Sequence, residues 1–285
     1  MGKVALKLLK DPSVFRKMAM GTWEVAKDPS VYGLIEIDLT NTLASLDAYQ
    51  KKHNVKITPA HLVGKAVAYC MKRRPEINGM IRGKKIYLRE NVALFYQVNI
   101  PGEGKDKIKK ATLSGAVLHE AENMTLAQIA GGLANKAKNL REGKDLEIKR
   151  NMELFKFIPW RLCGLYLDFV GWLMYGLNLN LSFLGVAKDP FGSIMITNIG
   201  GLGIDIAWAP LVPYSRVPVL LAVGAITDKA WVVDKKVEVR PILPIGVTFD
   251  HRLIDGIHAA QMAQDFKNCF NEPEKYLFNE SPLPE

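Results

Sequence analysis

The chain has 285 residues, 48% hydrophobic and 24% charged, an ordinary globular composition that allows one large domain or two small ones around a sizeable core. Its three cysteines, Cys70, Cys163 and Cys269, are far apart and without paired spacing, which argues against a disulfide framework or a zinc site and for a reducing compartment. The formal charge of +9 is compatible with nucleic acid, anionic lipid or a phosphate-rich small molecule and selects none of them.

In chain order, the first ten residues carry lysines but lack the apolar run and cleavage site of a secretory signal, so a cytoplasmic location is expected. Residues 31–39 read as a strand, with Leu34, Ile35 and Ile37 around Glu36, closed by Asp38 and Thr40. Thr58 reads as a helix N-cap with Pro59 at the first helical position. Leu62, Val63, Ala66, Val67, Cys70 and Met71 give that helix its apolar face, and Pro75 ends it. Residues 86–88 and 93–100 read as strands around a charged turn. The densest basic cluster, Lys105, Lys107, Lys109 and Lys110, follows as a solvated loop or a phosphate-binding one. Thr125 caps a helix through Leu126, Ile129, Leu133 and Ala137, stopped by Gly143.

Residues 151–189 are strongly apolar, with Phe155, Phe157, Trp160, Leu162, Leu165, Phe169, Trp172 and Leu173 among them. Arg161 and Asp168 interrupt the run of about 20 apolar residues that a membrane span requires. Three readings stay open: a subunit interface or internal cover, an interfacial membrane helix, and a groove for an acyl chain. Further on, residues 193–197, 219–226, 231–233, 237–240 and 243–249 are strand candidates rich in Val and Ile, and residues 257–270 form an amphipathic helix. The pattern predicts a single α/β sandwich rather than regular strand-helix alternation, and no glycine fingerprint of a dinucleotide fold follows a first strand.

The most informative stretch is Asp250-His251-Arg252-Leu253-Ile254-Asp255-Gly256, between an apolar strand and a helix. His251 is the one histidine in such a corner with a carboxylate four residues later. His53 falls in a polar connection, and His61, His119 and His258 lie in or near helices, as surface or core residues. An imidazole, with a reference pKa of about 6.5, can remove a proton from a thiol or hydroxyl at neutral pH. A His-x-x-x-Asp spacing alone is weak evidence, since helical pairs of this kind are often solvated ion pairs.

The whole seven-residue run resembles the active-site signature of the dihydrolipoyl acyltransferase catalytic domain of 2-oxoacid dehydrogenase complexes, which shares its fold with chloramphenicol acetyltransferase. Upstream, Gly192-Ser193-Ile194-Met195-Ile196-Thr197-Asn198-Ile199-Gly200 is similar to that family's strand ending in a hydroxyl residue, an asparagine and a glycine. Pro210, Pro213, Pro218 and the strand from Val219 match in order, as do Arg16-Lys17 and Arg74-Pro75-Glu76-Ile77-Asn78 near the start. The resemblance covers most of the chain except residues 151–189.

The resemblance implies a two-layer sandwich of mixed sheet and helices, a single catalytic domain over residues 1–285, with 151–189 as an apolar helical insert. It implies an acyltransferase in which His251 deprotonates the thiol of coenzyme A or of a dihydrolipoyl group. Thr197 would donate a hydrogen bond to the tetrahedral oxyanion, and Asp255 would pair with an arginine, for which Arg16 is the candidate. Asn198 and Gly200 would shape the loop beside coenzyme A, with Lys105 and Lys107 as candidates for its phosphates. No metal is needed. The partners implied are a homotrimer or larger cage with the site between subunits, and an acyl carrier in trans, since lipoyl and subunit-binding domains are not expected in the chain. Nucleic acid is not implied, and peripheral membrane contact is the less favoured use of the insert. A scaffold without turnover, assembling through the insert, is the competing expectation.

Overall fold

The computed structural model describes residues 13–14, 17–18, 28–100, 112–142, 158–181 and 189–280. Arg16, Lys105 and Lys107 lie outside them.

A mixed sheet of seven strands organises the molecule. β1 (Ser30–Asp38) pairs antiparallel with the C-terminal half of the long β9 (Lys236–Asp250), and β9 pairs antiparallel with β7 (Val219–Val223). β7 and β6 (Ile194–Asn198) are parallel, as are β6 and β4 (Leu94–Ile100), and β5 (Thr112–Leu118) closes the far edge antiparallel to β4. β8 (Thr227–Val233) forms a hairpin with the N-terminal half of β9. The central strand β7, Val-Leu-Leu-Ala-Val, is buried along its whole length, as expected of a strand covered on both faces.

Helices α1 (Thr40–His53), α2 (Pro59–Arg73), α3 (Leu126–Arg141) and α5 (Gly256–Asn271) share the main apolar core with the sheet. α2 is the core helix: Leu62, Val63, Ala66, Val67 and Cys70 are all at most 2% exposed, and its Thr58 cap and Pro59 start fall where the sequence puts them. The opposite face is crossed by the chain between β6 and β7, whose backbone lies so close that a Cβ at Gly224 would meet the Asp205 carbonyl and one at Gly246 the Ala207 carbonyl. In the apolar segment, α4 (Cys163–Gly171) runs into a π turn, Trp172–Gly176. A short α6 (Pro273–Tyr276) follows α5.

Several expectations are corrected. Residues 86–88 belong to β3 (Lys85–Leu88), which pairs with β2 (Gly79–Arg82) in a separate hairpin, not with β4. Residues 237–240 and 243–249 are one strand: β9 runs through Pro241, where it passes from β8 to β1 and the Pro241 carbonyl accepts from Leu39 N–H at 3.0 Å. β7 stops at Val223, short of residue 226. His53 is not in a connection but ends α1, its ring tilted against Tyr49 with centroids 4.3 Å apart.

Candidate active site

β9 delivers the chain to His251. Its last residue, Asp250, is buried, and its backbone N–H donates to Pro218 O at 2.9 Å. The carboxylate holds Arg252 by Nε at 2.9 Å and a terminal nitrogen at 2.6 Å, and accepts from the Arg252 backbone at 3.0 Å. Leu253 and Ile254 donate backbone bonds to the Asp250 carbonyl, each at 3.0 Å, and Ile254 is 1% exposed. The turn is thus anchored before and after residue 251, whose N–H donates to Pro29 O at 2.9 Å and whose side chain is exposed. Beside it opens a cleft of 330 Å³, bordered by Asp28, Ile81, Pro213, Asp250, Arg252 and Leu253.

Asp255 caps α5. Its Oδ1 accepts from Ile257 N at 2.9 Å and His258 N at 3.0 Å, the pattern that satisfies orphan donors at a helix start. These bonds, led by the one from His258, hold its carboxyl below the usual carboxylate value, with a smaller contribution from the His251 imidazole. The described residues place helix donors and His258 on this carboxylate. The expected Arg16 partner lies outside them.

Thr197 sits at the other end of the fold, near the C-terminus of β6 and half-buried. Asn198 Oδ1 accepts from Gly201 N at 3.3 Å. Gly200 lies so near the Gly224 carbonyl that any Cβ would collide with it. Thr197 is level with Ala222 on β7, which is level with Gly246 on β9. His251 follows Gly246 by five residues, hence about 16 Å along the strand and two spacings of ~4.8 Å across the sheet. The histidine and the threonine of one chain therefore stand roughly 15–20 Å apart at opposite sheet ends. Of the expected site residues, the fold brings His251 and Asp255 into one corner and Thr197, Asn198 and Gly200 into another.

Sequence reasoning missed the Asp250–Arg252 clamp and the Pro29 acceptor. The first was legible as opposite charges two residues apart in the same motif. The second is a backbone contact with no side-chain signature.

Among the described residues no helix is long and apolar enough to cross a membrane, and no cluster of side chains could hold a metal ion.

The architecture is that of the acyltransferase catalytic cores. The cubic core of the pyruvate dehydrogenase multienzyme complex matches with a TM-score of 0.61 at 20% identity, over 88% of this chain and 85% of that one. An Azotobacter vinelandii dihydrolipoamide acetyltransferase matches with a TM-score of 0.61 at 19% identity, over the same 88% and 85%. The chain belongs to the 2-oxoacid dehydrogenases acyltransferase (catalytic domain) family, whose model matches residues 13–148 and 190–278. A Rickettsia typhi dihydrolipoyllysine-residue succinyltransferase component of the 2-oxoglutarate dehydrogenase complex is 26% identical over 250 residues, covering 86% of this chain and 50% of the relative. The chain spans about half the length of the curated relatives it matches.

Proposed function

We propose that the protein transfers an acyl group between coenzyme A and a thiol acceptor of the dihydrolipoyl kind, at sites formed between protomers of a homotrimer. The observation that carries this reading is the separation of Thr197 from His251. An imidazole and a hydroxyl that must meet at one carbonyl cannot come from the same chain across roughly 15–20 Å of sheet, so a second copy supplies one of them. The Azotobacter protein is described through a serine, a histidine and an asparagine four residues after the histidine in its catalytic mechanism. Thr197, His251 and Asp255 supply the corresponding hydroxyl, imidazole and polar side chain here.

In this reading His251 takes the proton of the attacking thiol as its sulfur bonds to the thioester carbonyl carbon. Thr197 donates to the oxyanion of the tetrahedral intermediate, a contact worth about 2.7–4 kcal/mol in comparable sites. Collapse breaks the original carbon–sulfur bond, and the departing thiolate recovers the proton from the imidazolium. Asp255 acts by fixing the start of α5 beside the histidine turn, while Asn198 and Gly200 set the course of the chain after Thr197. Lys105 and Lys107 are the proposed partners of the coenzyme A phosphates. The acyl carrier acts in trans, and residues 1–285 form one catalytic domain with 151–189 inserted in it.

A scaffold that assembles without turnover is the second reading. It is favoured by the exposed apolar side chains on and around α4, where Trp160, Leu165, Phe169 and Trp172 are 80%, 68%, 58% and 55% exposed. Incubating the protein with a panel of acyl-coenzyme A donors and dithiol acceptors separates the two. Turnover that falls by about 10²–10⁴ in His251→Ala is expected of the enzyme; equal rates in both proteins leave the scaffold.

A further inference from the structure

Beneath the insert lies a second cavity that the acyl-transfer reading does not use. Val170, Met174, Tyr175 and Leu181 form a small apolar cluster with Met80 of β2, and beside it a cavity of 410 Å³ opens between the insert and the β2–β3 hairpin. That volume falls in the range of about 300–1,000 Å³ typical of small-molecule sites. Met80, Tyr87, Leu88, Met174 and Leu179 give it apolar walls.

Its polar groups are incompletely matched. Tyr175 lines the cavity, is only 5% exposed, and its hydroxyl has no hydrogen-bond partner. Buried hydroxyls are ordinarily paired, so this one is an unsatisfied donor in the cavity wall. Burial also keeps the phenol well above its ordinary pKa, so it stays protonated. Arg82 donates through Nε to Tyr175 O at 2.5 Å and through a terminal nitrogen to Gly176 O at 3.3 Å, and lies 4.7 Å over the Tyr87 ring. Among the described residues no carboxylate pairs with it. Arg89 is bound by Asp189 at 2.8 and 3.2 Å. Among the described residues two guanidiniums thus face one carboxylate, which leaves this part of the lining with excess positive charge.

We propose that this cavity binds a small amphiphile, an apolar chain ending in a carboxylate, with the Tyr175 hydroxyl donating to the carboxylate and Arg82 balancing its charge. The insert wall of the site falls between the two segments matched by the family model, whereas the β2–β3 wall with Arg82 lies within the first of them. The site also adjoins the histidine turn. Met80 and Arg82 line the insert cavity while Ile81 lines the cleft beside His251, as alternation along a strand requires. Gly79 on the same strand is so close to Leu253 that a Cβ there would lie 2.6 Å from the leucine side chain. A ligand in the insert cavity therefore rests on the reverse side of the strand that walls the cleft bordered by Asp250 and Arg252.

Calorimetric titration of the full chain with octanoate, and with octanol as the uncharged control, tests the site directly and needs no turnover. Octanoate is expected to bind at least about tenfold more tightly than octanol, the difference a charge-assisted bond supplies. Tyr175→Phe, which keeps the ring and therefore the packing, should weaken octanoate by roughly five- to tenfold. Arg82→Met should bring octanoate down to the affinity of octanol, and Arg82→Lys should retain the preference. The proposal is overturned if octanoate shows no binding at millimolar concentration, if octanol binds equally well, or if Tyr175→Phe and Arg82→Met both keep the affinity of the unsubstituted protein while melting as it does.

Discussion

Asp255 and His258 close a ring at the start of α5: the carboxylate accepts from the His258 backbone N–H at 3.0 Å, and the imidazole Nδ1 returns to the same oxygen at 2.9 Å. The Asp255 backbone N–H donates to Nδ1 at 3.4 Å, which completes the reciprocal cap, and the 2.9 Å approach of Nδ1 to the carboxylate is an ion pair when the imidazole is protonated. The residue that the family resemblance treats as part of the reaction therefore has a first duty in helix capping, and it positions the histidine turn through the helix it starts.

The capping role predicts a pH dependence. Because the folded Asp255 has a pKa below its ordinary value, its contribution to stability is complete above the unfolded carboxylate value of about 3.9 and is lost as pH falls through the lower folded value. Asp255→Asn, which can still cap, should be less stable than the unsubstituted chain at about pH 6, and the difference should shrink toward about pH 2.5. Urea denaturation at the two pH values measures it. A difference that grows on acidification would remove the charge from the explanation.

The sequence carried the central architecture because burial leaves a strong imprint: the unbroken apolar run of β7, the Thr58-Pro59 start of α2 and the Thr125 cap of α3 need no tertiary knowledge to read. What stayed hidden was decided by partners distant in sequence. β5 carries Ser114, Gly115 and Ala116 at its centre, and Gly115 lies so near the Phe95 ring that a Cβ would collide, so a strand-propensity reading passes over it. α1 is mostly polar, and the cue to its start was Asp38, whose carboxylate accepts from the Thr40 N–H at 2.8 Å. For the site, the motif around His251 was legible residue by residue, whereas the distance separating it from Thr197 follows only from the register of three strands.

Lys65 gives an alkaline prediction. It is 2% exposed in the middle of α2, with Nζ donating to Met124 O at 2.5 Å, and burial, followed by the charge of Lys72, lowers its pKa to about 8. The unfolded lysine holds its proton up to about 10.4, so between these values the unfolded state binds more protons and stability rises with pH. Lys65→Met abolishes that term. The stability of the unsubstituted protein minus that of the variant should increase by about 2–3 kcal/mol from pH 8 to 10.5, and other titrating groups cancel in the subtraction. A flat difference would mean that Lys65 finds solvent in the folded state.

Gly200 and Gly201 are neighbours with opposite tolerance. A Cβ at Gly200 meets backbone atoms of Gly224 and Ala225, which cannot rotate away, whereas at Gly201 the nearest atom is Asn198 Nδ2 at 3.8 Å. Gly200→Ala should lower stability by roughly 1–3 kcal/mol and displace the chain that follows Thr197, while Gly201→Ala should leave denaturation nearly unchanged. Equal midpoints for both variants would show that the loop gives way at little cost.

The placement of Thr197 and His251 at opposite ends of one sheet makes a stronger prediction than loss of function in either single variant. In the proposed mechanism His251→Ala removes the base and Thr197→Ala an oxyanion donor, so each should lose about 10²–10³-fold or more of turnover. If each site takes its imidazole from one protomer and its hydroxyl from the next, a trimer reassembled from equal amounts of the two variants contains complete sites. A complete site arises wherever a chain retaining His251 precedes one retaining Thr197, so about one quarter of the sites in a randomly mixed cyclic assembly should regain turnover. The test is co-refolding, or co-expression with distinct tags, followed by a rate measurement on the mixed species. Recovery requires nothing of either chain beyond its intact half, so it is insensitive to modest losses of stability. If the mixed particles turn over no faster than the average of the two variants while their mass stays that of the parent assembly, the two side chains do not serve a common site.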